Sequence, residues 1–277
     1  SGGYDGIGIT QNKSDKPVLF NARRYFGTGA NRDIGDFGFQ PDFAWIKVRG
    51  ENRGHKVWDS VTNLGDSPLV PDTNAASVAS VQGHISKFNA DGFSLVHAGT
   101  SLNTNNPNHN FIAYGWKAGG APSADGKKSV DGVESNLVSG TDYGAISGTT
   151  PFQNVRQSIN TAGGFNITKF RLGDIGTSGS FEGSWFKHGL GSSATDDPDF
   201  VILKNISQAQ SWITWHSGVG AWSAANSVGY LDTDIAHTGS NLGNFLRKTT
   251  TSGMPTGDGK VWVDQRSIFA ASVNEDF

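Results

Sequence analysis

The sequence contains no cysteine, which excludes disulfide bonds, thiolate zinc sites and cysteine nucleophiles together. Methionine occurs once and glutamate four times, and no long run of the helix-forming residues Ala, Leu, Glu and Lys is present. No uninterrupted apolar stretch is long enough to span a bilayer, so we do not expect membrane insertion. The 22 basic and 25 acidic residues give a net charge of −3, which predicts no basic surface for nucleic acid.

Glycine and aromatic residues are abundant instead. The chain has 38 glycines, 17 phenylalanines and eight tryptophans, and its aromatic and β-branched residues come in short bursts between turn-forming residues. Such bursts predict short strands joined by turns. The sequence therefore predicts an all-β fold built from antiparallel β-sandwich or jelly-roll modules.

Residues 111–116 form the clearest strand pattern. The odd positions are Phe111, Ala113 and Gly115, and the even positions are Ile112, Tyr114 and Trp116. Because both faces carry bulk, we expect this strand to be covered on both sides. For most tryptophans and phenylalanines of the chain, packing between sheets is the favoured interpretation.

One stretch of sequence occurs twice. Residues 41–47 (PDFAWIK) match residues 198–204 (PDFVILK) at an offset of 198 − 41 = 157, and at the same offset Trp58 matches Trp215. Upstream, residues 20–25 match residues 165–170 at an offset of 145. Downstream, Asp72 matches Asp232 at an offset of 160. The matches keep their order, so the sequence predicts two related units in tandem.

The organisation predicted from this repeat has three parts. A first β-sandwich unit covers residues 1–120, and a second covers residues 151–277. Residues 121–150 are rich in Gly, Ser and Ala and are interpreted as a connection with little core of its own.

Sequence motifs of catalysis are missing. We find no Gly-x-Ser-x-Gly elbow, no phosphate-binding Gly-x-x-x-x-Gly-Lys loop and no Gly-x-Gly-x-x-Gly turn. The two closest of the seven histidines are His97 and His109, 109 − 97 = 12 residues apart, which gives no local metal-ligand spacing. We therefore expect no enzyme activity.

Glu182 is the one carboxylate in a suggestive context, because aromatic Phe181 and Trp185 flank it. It fits an acid of raised pKa, a hydrogen-bond acceptor for a sugar beside a stacking ring, or an exposed glutamate on an edge strand. The last of these interpretations is favoured.

Three aspartates just before the second repeated strand suggest calcium, which prefers oxygen ligands from such loops. They are Asp196, Asp197 and Asp199. Only Asp199 has a counterpart in the first unit, Asp42. A turn in which the repeated aspartate caps backbone N–H groups is therefore favoured, and calcium is kept as the minority hypothesis. No other cofactor is expected.

The order of the motifs resembles a family of uncharacterised repeat domains in structural proteins of marine tailed bacteriophages, cyanophages among them. The resemblance is carried in the first unit by residues 25–29 (YFGTG), 38–47 (GFQPDFAWIK), 59–60 (DS), 86–93 (SKFNADGF) and 112–120 (IAYGWKAGG). In the second unit it is carried by residues 162–167, 188–191 and 198–204. The sequence departs from the pattern after Ala271 and inserts residues 192–197.

The resemblance implies lectin-like, concanavalin A-like sandwich modules in a non-enzymatic virion structural protein on the particle surface, as a tail fibre, another appendage or a capsid decoration. Other virion proteins are the expected partners, a homo-oligomer is the expected state, and host attachment through surface glycans is the hypothesis for its role. The candidate ligand-binding residues are Asn103, Asn105, Asn106, Asn108, His109, Glu182 and Trp185. A polysaccharide depolymerase and a bacterial carbohydrate-binding module are the alternatives.

Overall fold

The computed structural model describes residues 18–62, 65, 67–77, 83–98, 104–145, 152–172, 183–191, 198–216, 229–233, 246–247, 259–264 and 276–277. Within these residues the chain forms strands, turns and irregular segments, and no helix occurs. In particular, the described residues include no helix with the length and apolarity needed to cross a membrane.

Seven strands belong to the first unit. They are β1 (Phe20–Phe26), β2 (Arg32–Ile34), β3 (Phe43–Arg49), β4 (Lys56–Asp59), β5 (His84–Asn89), β6 (Gly92–Val96) and β7 (Asn110–Trp116). They pair only with one another, as the antiparallel sheets β1-β7-β3-β4 and β2-β6-β5. The inner sides of both sheets share one core, which includes Ile46, Phe93 and Phe111. The first unit is therefore an antiparallel β-sandwich.

Within the described residues, eleven strands form the second unit. They are β8 (Lys127–Val130), β9 (Val133–Asn136), β10 (Tyr143–Ala145), β11 (Gln153–Asn160), β12 (Phe165–Arg171), β13 (Gly183–Lys187), β14 (Phe200–Leu203), β15 (Ile213–His216), β16 (Gly229–Tyr230), β17 (Leu246–Arg247) and β18 (Lys260–Asp264). Their sheets are β12-β11-β8-β9, β10-β13-β18-β17 and β14-β15-β16. One core joins them, with Phe152, Phe170 and Phe186 near its centre. The predicted all-β fold of tandem antiparallel modules is confirmed, with β8 and β11 as a parallel pair inside it.

The segment interpreted as a connection contains three of these strands. β8 and β9 extend the sheet of β11, and β10 pairs with β13. The segment also contacts the end of the first unit, where Gly132 N–H donates to the carbonyl of Gly119 at 2.9 Å. Residues 127–145 are therefore integrated into the sheets of the second unit. The outer limits of the two units stay a prediction.

Strand β7 lies in the middle of its sheet, between β1 and β3. Phe111 and Ala113 are fully buried on the inner side, and a Cβ at position 115 would lie 2.6 Å from the ring of Phe37. Gly115 is therefore required by the close approach of that ring. The outer side of β7 is half-buried, so the strand is fully covered on its inner side and partly covered on its outer side.

The repeated sequence folds into the same hairpin twice. Ala44 pairs with Trp58 in β3 and β4, and Val201 pairs with Trp215 in β14 and β15, so both hairpins have the register that the offset of 157 requires. In each copy a further segment pairs with the second strand of the hairpin. Leu69 pairs with Val57 of β4, and β16 pairs with β15. The duplication is therefore structural as well as sequential.

Two side-chain contacts to the backbone also recur. Asp72 accepts the N–H of His55 at 2.9 Å, and Asp232 accepts the N–H of Trp212 at 2.9 Å. His55 and Trp212 occupy equivalent positions, because 212 − 55 = 157. These carboxylates fix the start of the second strand of each hairpin.

The two lysines of the repeat have a shared role as well. Lys47 Nζ donates to the carbonyl of Arg53 at 2.5 Å, and Lys204 Nζ donates to the equivalent carbonyl of Gln210 at 2.6 Å. Each lysine therefore closes the loop of its own hairpin. Lys204 makes one further bond, to the carbonyl of Asn74 at 3.0 Å, and so links the second hairpin to the first unit.

Trp212 packs across the junction of the two units. Its side chain is buried with Val57 and Leu69, and its Nε1 donates to the carbonyls of Val70 at 3.2 Å and Thr73 at 3.1 Å. The ammonium of Lys204 lies 5.8 Å from the centre of the indole ring. The junction therefore combines apolar burial with hydrogen bonds to the backbone of the first unit.

Replacing Trp212 with Ala should lower the free energy of unfolding by ~3–5 kcal/mol, because the change leaves a cavity at the junction. Chemical denaturation followed by circular dichroism measures this. Trp212→Phe is the matched control: it keeps a ring but loses the indole N–H, and should cost about 1–3 kcal/mol. Equal stability of Trp212→Ala and the wild type would contradict the described junction.

Lys204 should make stability depend on alkaline pH. Burial lowers the pKa of Lys204 from 10.5 to about 8, and the nearby carboxylate of Asp232 opposes the shift. Between about pH 8 and 10.5 the unfolded chain holds a proton that the folded chain has released, so the free energy of unfolding rises with pH. Below about pH 8 both states are protonated and this dependence stops.

The measurement is the difference in free energy of unfolding between the wild type and Lys204→Met from pH 7 to 10.5. This difference removes the contribution of all other titrating groups. We expect it to shift in favour of the wild type as the pH rises above about 8. A difference that is flat over this range would show that the amine titrates alike in both states.

Candidate functional site

The sheet β1-β7-β3-β4 of the first unit carries a row of aromatic rings on its outer side. Side chains of a strand alternate between the two sides of its sheet, so Tyr114 and Trp116 point away from the core that Phe111 enters. Trp116 pairs with Phe20 of β1 on one side and Phe43 of β3 on the other. Three neighbouring strands thus contribute one ring each to a single line.

Trp116 is the centre of this row. Its ring centroid lies 4.7 Å from that of Phe20, and 5.4 Å from that of Phe43 in an edge-on arrangement. The ring of Phe165 from the second unit stacks on it at 6.4 Å. Phe20 and Tyr114 lie nearly parallel, with their centroids 6.4 Å apart and 10° between their planes. Such contacts orient the rings as well as burying them.

Part of this row is open to solvent. Phe43 and Trp45 are covered by the junction cluster around Trp212, whereas Phe20 leaves 48% of its surface exposed. Tyr114 and Trp116 are half-buried beside it. We call Phe20, Tyr114 and Trp116 the aromatic face. An exposed group of rings held by contacts among themselves is typical of a binding surface.

Polar and charged groups lie near the aromatic face. Arg24 is exposed on the same side of β1, opposite Ile112, and Lys117 is exposed directly after Trp116. Flat rings bordered by hydrogen-bond donors can hold a ligand that has an apolar face and a polar rim. The sequence indicated core packing for most of these rings. The alternation of residues 111–116 was the signal that could have separated inner from outer positions.

The structure places the predicted polar loop differently. Asn105 is fully buried, and its Nδ2 donates to the carbonyl of Ala30 at 2.6 Å while its Oδ1 accepts the N–H of Thr28 at 3.1 Å. Its own carbonyl accepts the N–H of Gly29 at 2.8 Å. Asn105 therefore holds the segment after β1 in place. Both ends of the amide are used internally, and the prediction that this side chain meets a ligand stays a prediction.

The remaining candidates of this loop have different surroundings. Asn108 is exposed and adopts a left-handed backbone with φ of 65°. His109 Nδ1 lies 2.8 Å from the carbonyl of Pro107, and its Nε2 lies 3.9 Å from a carboxylate oxygen of Glu51. Asn106 is half-buried, and Asn103 lies outside the described residues.

The candidate ligand-binding residues of the second unit are Glu182 and Trp185, and Trp185 does not lie on the surface. Trp185 is buried, and its indole lies so close to Gly144 that a Cβ there would be 2.8 Å from the ring. It is therefore a buried residue, and the hypothesis that it stacks on a sugar stays a prediction. Glu182 lies outside the described residues, so its three interpretations stay predictions.

The calcium hypothesis also stays a prediction. Asp199 is exposed, whereas Asp196 and Asp197 fall in the undescribed residues 192–197. Among the side chains that the structure describes, no three of His, Asp or Glu gather in a way that could hold a metal ion. The first-unit counterpart, Asp42, has the predicted capping role: its carboxylate accepts the N–H groups of Ala118 at 2.9 Å and Gly120 at 3.2 Å.

Ionisable groups with shifted pKa values have structural partners. Burial raises the pKa of Asp42, and the hydroxyl of Ser60 and the two capped N–H groups act against the shift. Burial likewise raises the pKa of Asp59, whose carboxylate accepts the hydroxyl and the N–H of Thr62 at 2.7 Å each. Tyr25, whose pKa burial raises strongly, donates its hydroxyl to the carbonyl of Thr104. These three pKa shifts come from burial, at positions where the side chains fix turns and loops.

Comparison with known proteins identifies a family. A family model described as a domain of unknown function (DUF7483) matches residues 15–171, which is more than half of the chain. The chain therefore belongs to this family. No curated protein and no solved structure matches the chain. The matched range includes strands β1 to β7 with the aromatic face, and the second unit as far as β12.

Replacing Asn105 with Ala should lower the free energy of unfolding by about 1–3 kcal/mol, because buried partners around residues 28–30 lose their hydrogen bonds. Thermal unfolding of the purified protein measures this. The control in the same loop is Asn108→Gly, which keeps the left-handed backbone favourable and should leave stability within about 0.5 kcal/mol. Equal effects of the two changes would contradict the assigned role of Asn105.

Proposed function

We propose that this member of the DUF7483 family is a non-enzymatic structural protein on the surface of a tailed-phage particle, and that it adheres to host glycans through its aromatic face. The virion assignment is supported by the order of motifs in the sequence. The adhesion is supported by one observation above the others: Phe20, Tyr114 and Trp116 are held by ring contacts as a partly exposed row on one sheet. Other virion proteins and further copies of the chain would be its partners.

A sugar ring fits this surface by chemistry. The C–H groups of a pyranose form a weakly polar face that can lie on an aromatic ring, while its hydroxyls point sideways. Arg24 and Lys117 are exposed, and their side chains could donate hydrogen bonds to such hydroxyls. The site is shallow, so single-site affinity would be modest. Many copies on one particle would raise the overall strength of attachment by avidity.

The placement of the ionisable groups supports a role without catalysis. Asp42 and Asp59 use their carboxylates to hold backbone N–H groups, and Lys204 uses its amine to hold backbone carbonyls. A catalytic acid or base needs a proton-transfer partner at the substrate, and these side chains are directed into turns and loops instead. Their pKa shifts follow from this placement.

Replacing Phe20 with Ala should weaken glycan binding by about tenfold, because the ring supplies stacking worth ~0.5–1.5 kcal/mol beyond its buried area. The measurement is binding to a glycan array, with the protein displayed on beads at particle-like density. Phe26→Ala is the matched control, since Phe26 lies on the same side of β1 and is 53% exposed but pairs with Asn110 at the far end of the strand. It should bind as the wild type does.

Two results would argue for another role. Absence of binding to every glycan, together with increased heat resistance of particles that carry the protein, would indicate a reinforcing capsid or tail component. Release of reducing ends from host exopolysaccharide, abolished by Glu182→Gln, would indicate a depolymerase. Equal loss of binding in Phe20→Ala and Phe26→Ala would show that the aromatic face is not the glycan site.

A further inference from the structure

Basic side chains lie beside the aromatic face, on the same side of the sheet. The row of outward residues next to Tyr114 consists of Arg24, Ile112 and Lys47, which pair with one another across β1, β7 and β3. Arg49 lies in the row beyond. The outward positions of these three strands, all of which the structure describes, hold three basic side chains and no acidic one. The outer strand surface is therefore positive, although the chain has a net charge of −3.

Arg24 is the basic residue of this row that lies nearest to the exposed rings. It is exposed, and it lies two residues along β1 from Ala22, the partner of Tyr114. Two residues of a strand span about 7 Å, a distance that an extended arginine side chain can cover. Lys47 donates to the carbonyl of Arg53, whereas no described residue forms a hydrogen bond or an ion pair with the guanidinium of Arg24.

The second unit contains the same combination of a ring and a cation. Phe165 and Lys169 are the equivalents of Phe20 and Arg24 at the offset of 145, and each pair is spaced four residues apart. Residues at this spacing lie on one side of a strand, which for β12 is the side opposite the buried Phe170. The ring and the cation therefore belong to the duplicated unit, and their two copies can be compared.

At the junction, the second copy contacts a ring and a carboxylate. Phe165 stacks on Trp116 of the first unit, with centroids 6.4 Å apart and 20° between the planes. Burial raises the pKa of Asp59, and hydrogen bonds to its carboxylate and the ammonium of Lys169 act against this shift. Trp116 and Asp59 lie in one row across the sheet. One copy of the pair thus packs on a flat ring while its cation lies near a negative charge.

We propose that the aromatic face binds an anionic glycan, with a sugar ring on Phe20 and Tyr114 and a negatively charged group of the glycan on the guanidinium of Arg24. This rests on the proposed adhesion to glycans and specifies the chemical class of the ligand. A guanidinium can bind two oxygens of one anion at once, as Arg171 binds the carboxylate of Asp276 at 2.8 and 2.9 Å. A neutral sugar would not use the charge of Arg24.

The probes are immobilised uronic-acid oligosaccharides, each compared with its own methyl ester, which keeps the ring and removes the charge. Beads that display the full chain should bind the acid about fivefold more strongly than the ester. High salt should remove this difference, because exposed charges are screened. Sulfated and unsulfated forms of one oligosaccharide are a second pair of probes. A preference for the charged form in either pair supports the proposal and identifies the anion.

Arg24→Gln tests the residue to which the charge is assigned. It should lower binding of the charged probe about fivefold and leave binding of the neutral probe unchanged, because glutamine keeps hydrogen-bond donors but has no charge. Arg49→Gln is the matched control, since Arg49 is also exposed but pairs with Asn110, at the opposite end of β7 from Trp116. It should bind as the wild type does. Phe20→Ala should weaken binding of both probes.

The results separate this inference from the proposed adhesion. Equal binding of charged and neutral probes in both pairs, with Phe20→Ala weakening all of them, would overturn the anionic ligand and leave the adhesion standing. Equal losses in Arg24→Gln and Arg49→Gln would indicate a general attraction to the positive surface and would overturn the role of Arg24. Absence of binding to every probe would overturn both.

Discussion

The position of β7 between β1 and β3 is the constraint on which the first unit depends. Hydrogen bonding on both sides fixes the register of this strand, and the register decides which residues enter the core. Phe111, Ala113 and Gly115 then fill the inner side, and the close approach of Phe37 leaves no room for a side chain at position 115. The same register directs Tyr114 and Trp116 outward. Core and aromatic face are thus two consequences of one pairing.

The duplicated hairpins show which contacts such a unit needs. Asp72 and Asp232 hold equivalent N–H groups, and Lys47 and Lys204 hold equivalent carbonyls. These side chains act on the backbone, so they define the hairpin whatever surrounds it. A buried backbone group without a partner would cost about 1–3 kcal/mol, which explains why the polar residues of the repeat are those that satisfy the backbone.

The sequence allowed much of this fold to be predicted, because alternation and turns are local. The repeat, the all-β class and the strand at residues 111–116 are all recovered. The candidate site was harder to predict from the sequence. Asn105 sits in a polar loop and is nevertheless buried, because its partners at residues 28–30 are 75 or more positions away. The exposure of Phe20 likewise depends on where the second unit covers the sheet and where it does not. Neither the burial of Asn105 nor the exposure of Phe20 has a signal in the neighbouring sequence.

Equivalent positions with different side chains indicate where the two units diverge in role. His55 and Trp212 share the N–H contact to an aspartate, but their side chains do different things. His55 Nδ1 accepts the indole N–H of Trp45 at 2.7 Å within the first unit, whereas Trp212 crosses the junction to Val57 and Leu69. The junction covers one end of the outer aromatic row and leaves the other end open. On the second unit the corresponding outer residues, Phe200 and Ile202, are 53% and 36% exposed. One hairpin therefore supports a half-covered aromatic face, and its copy packs at the junction of the two units.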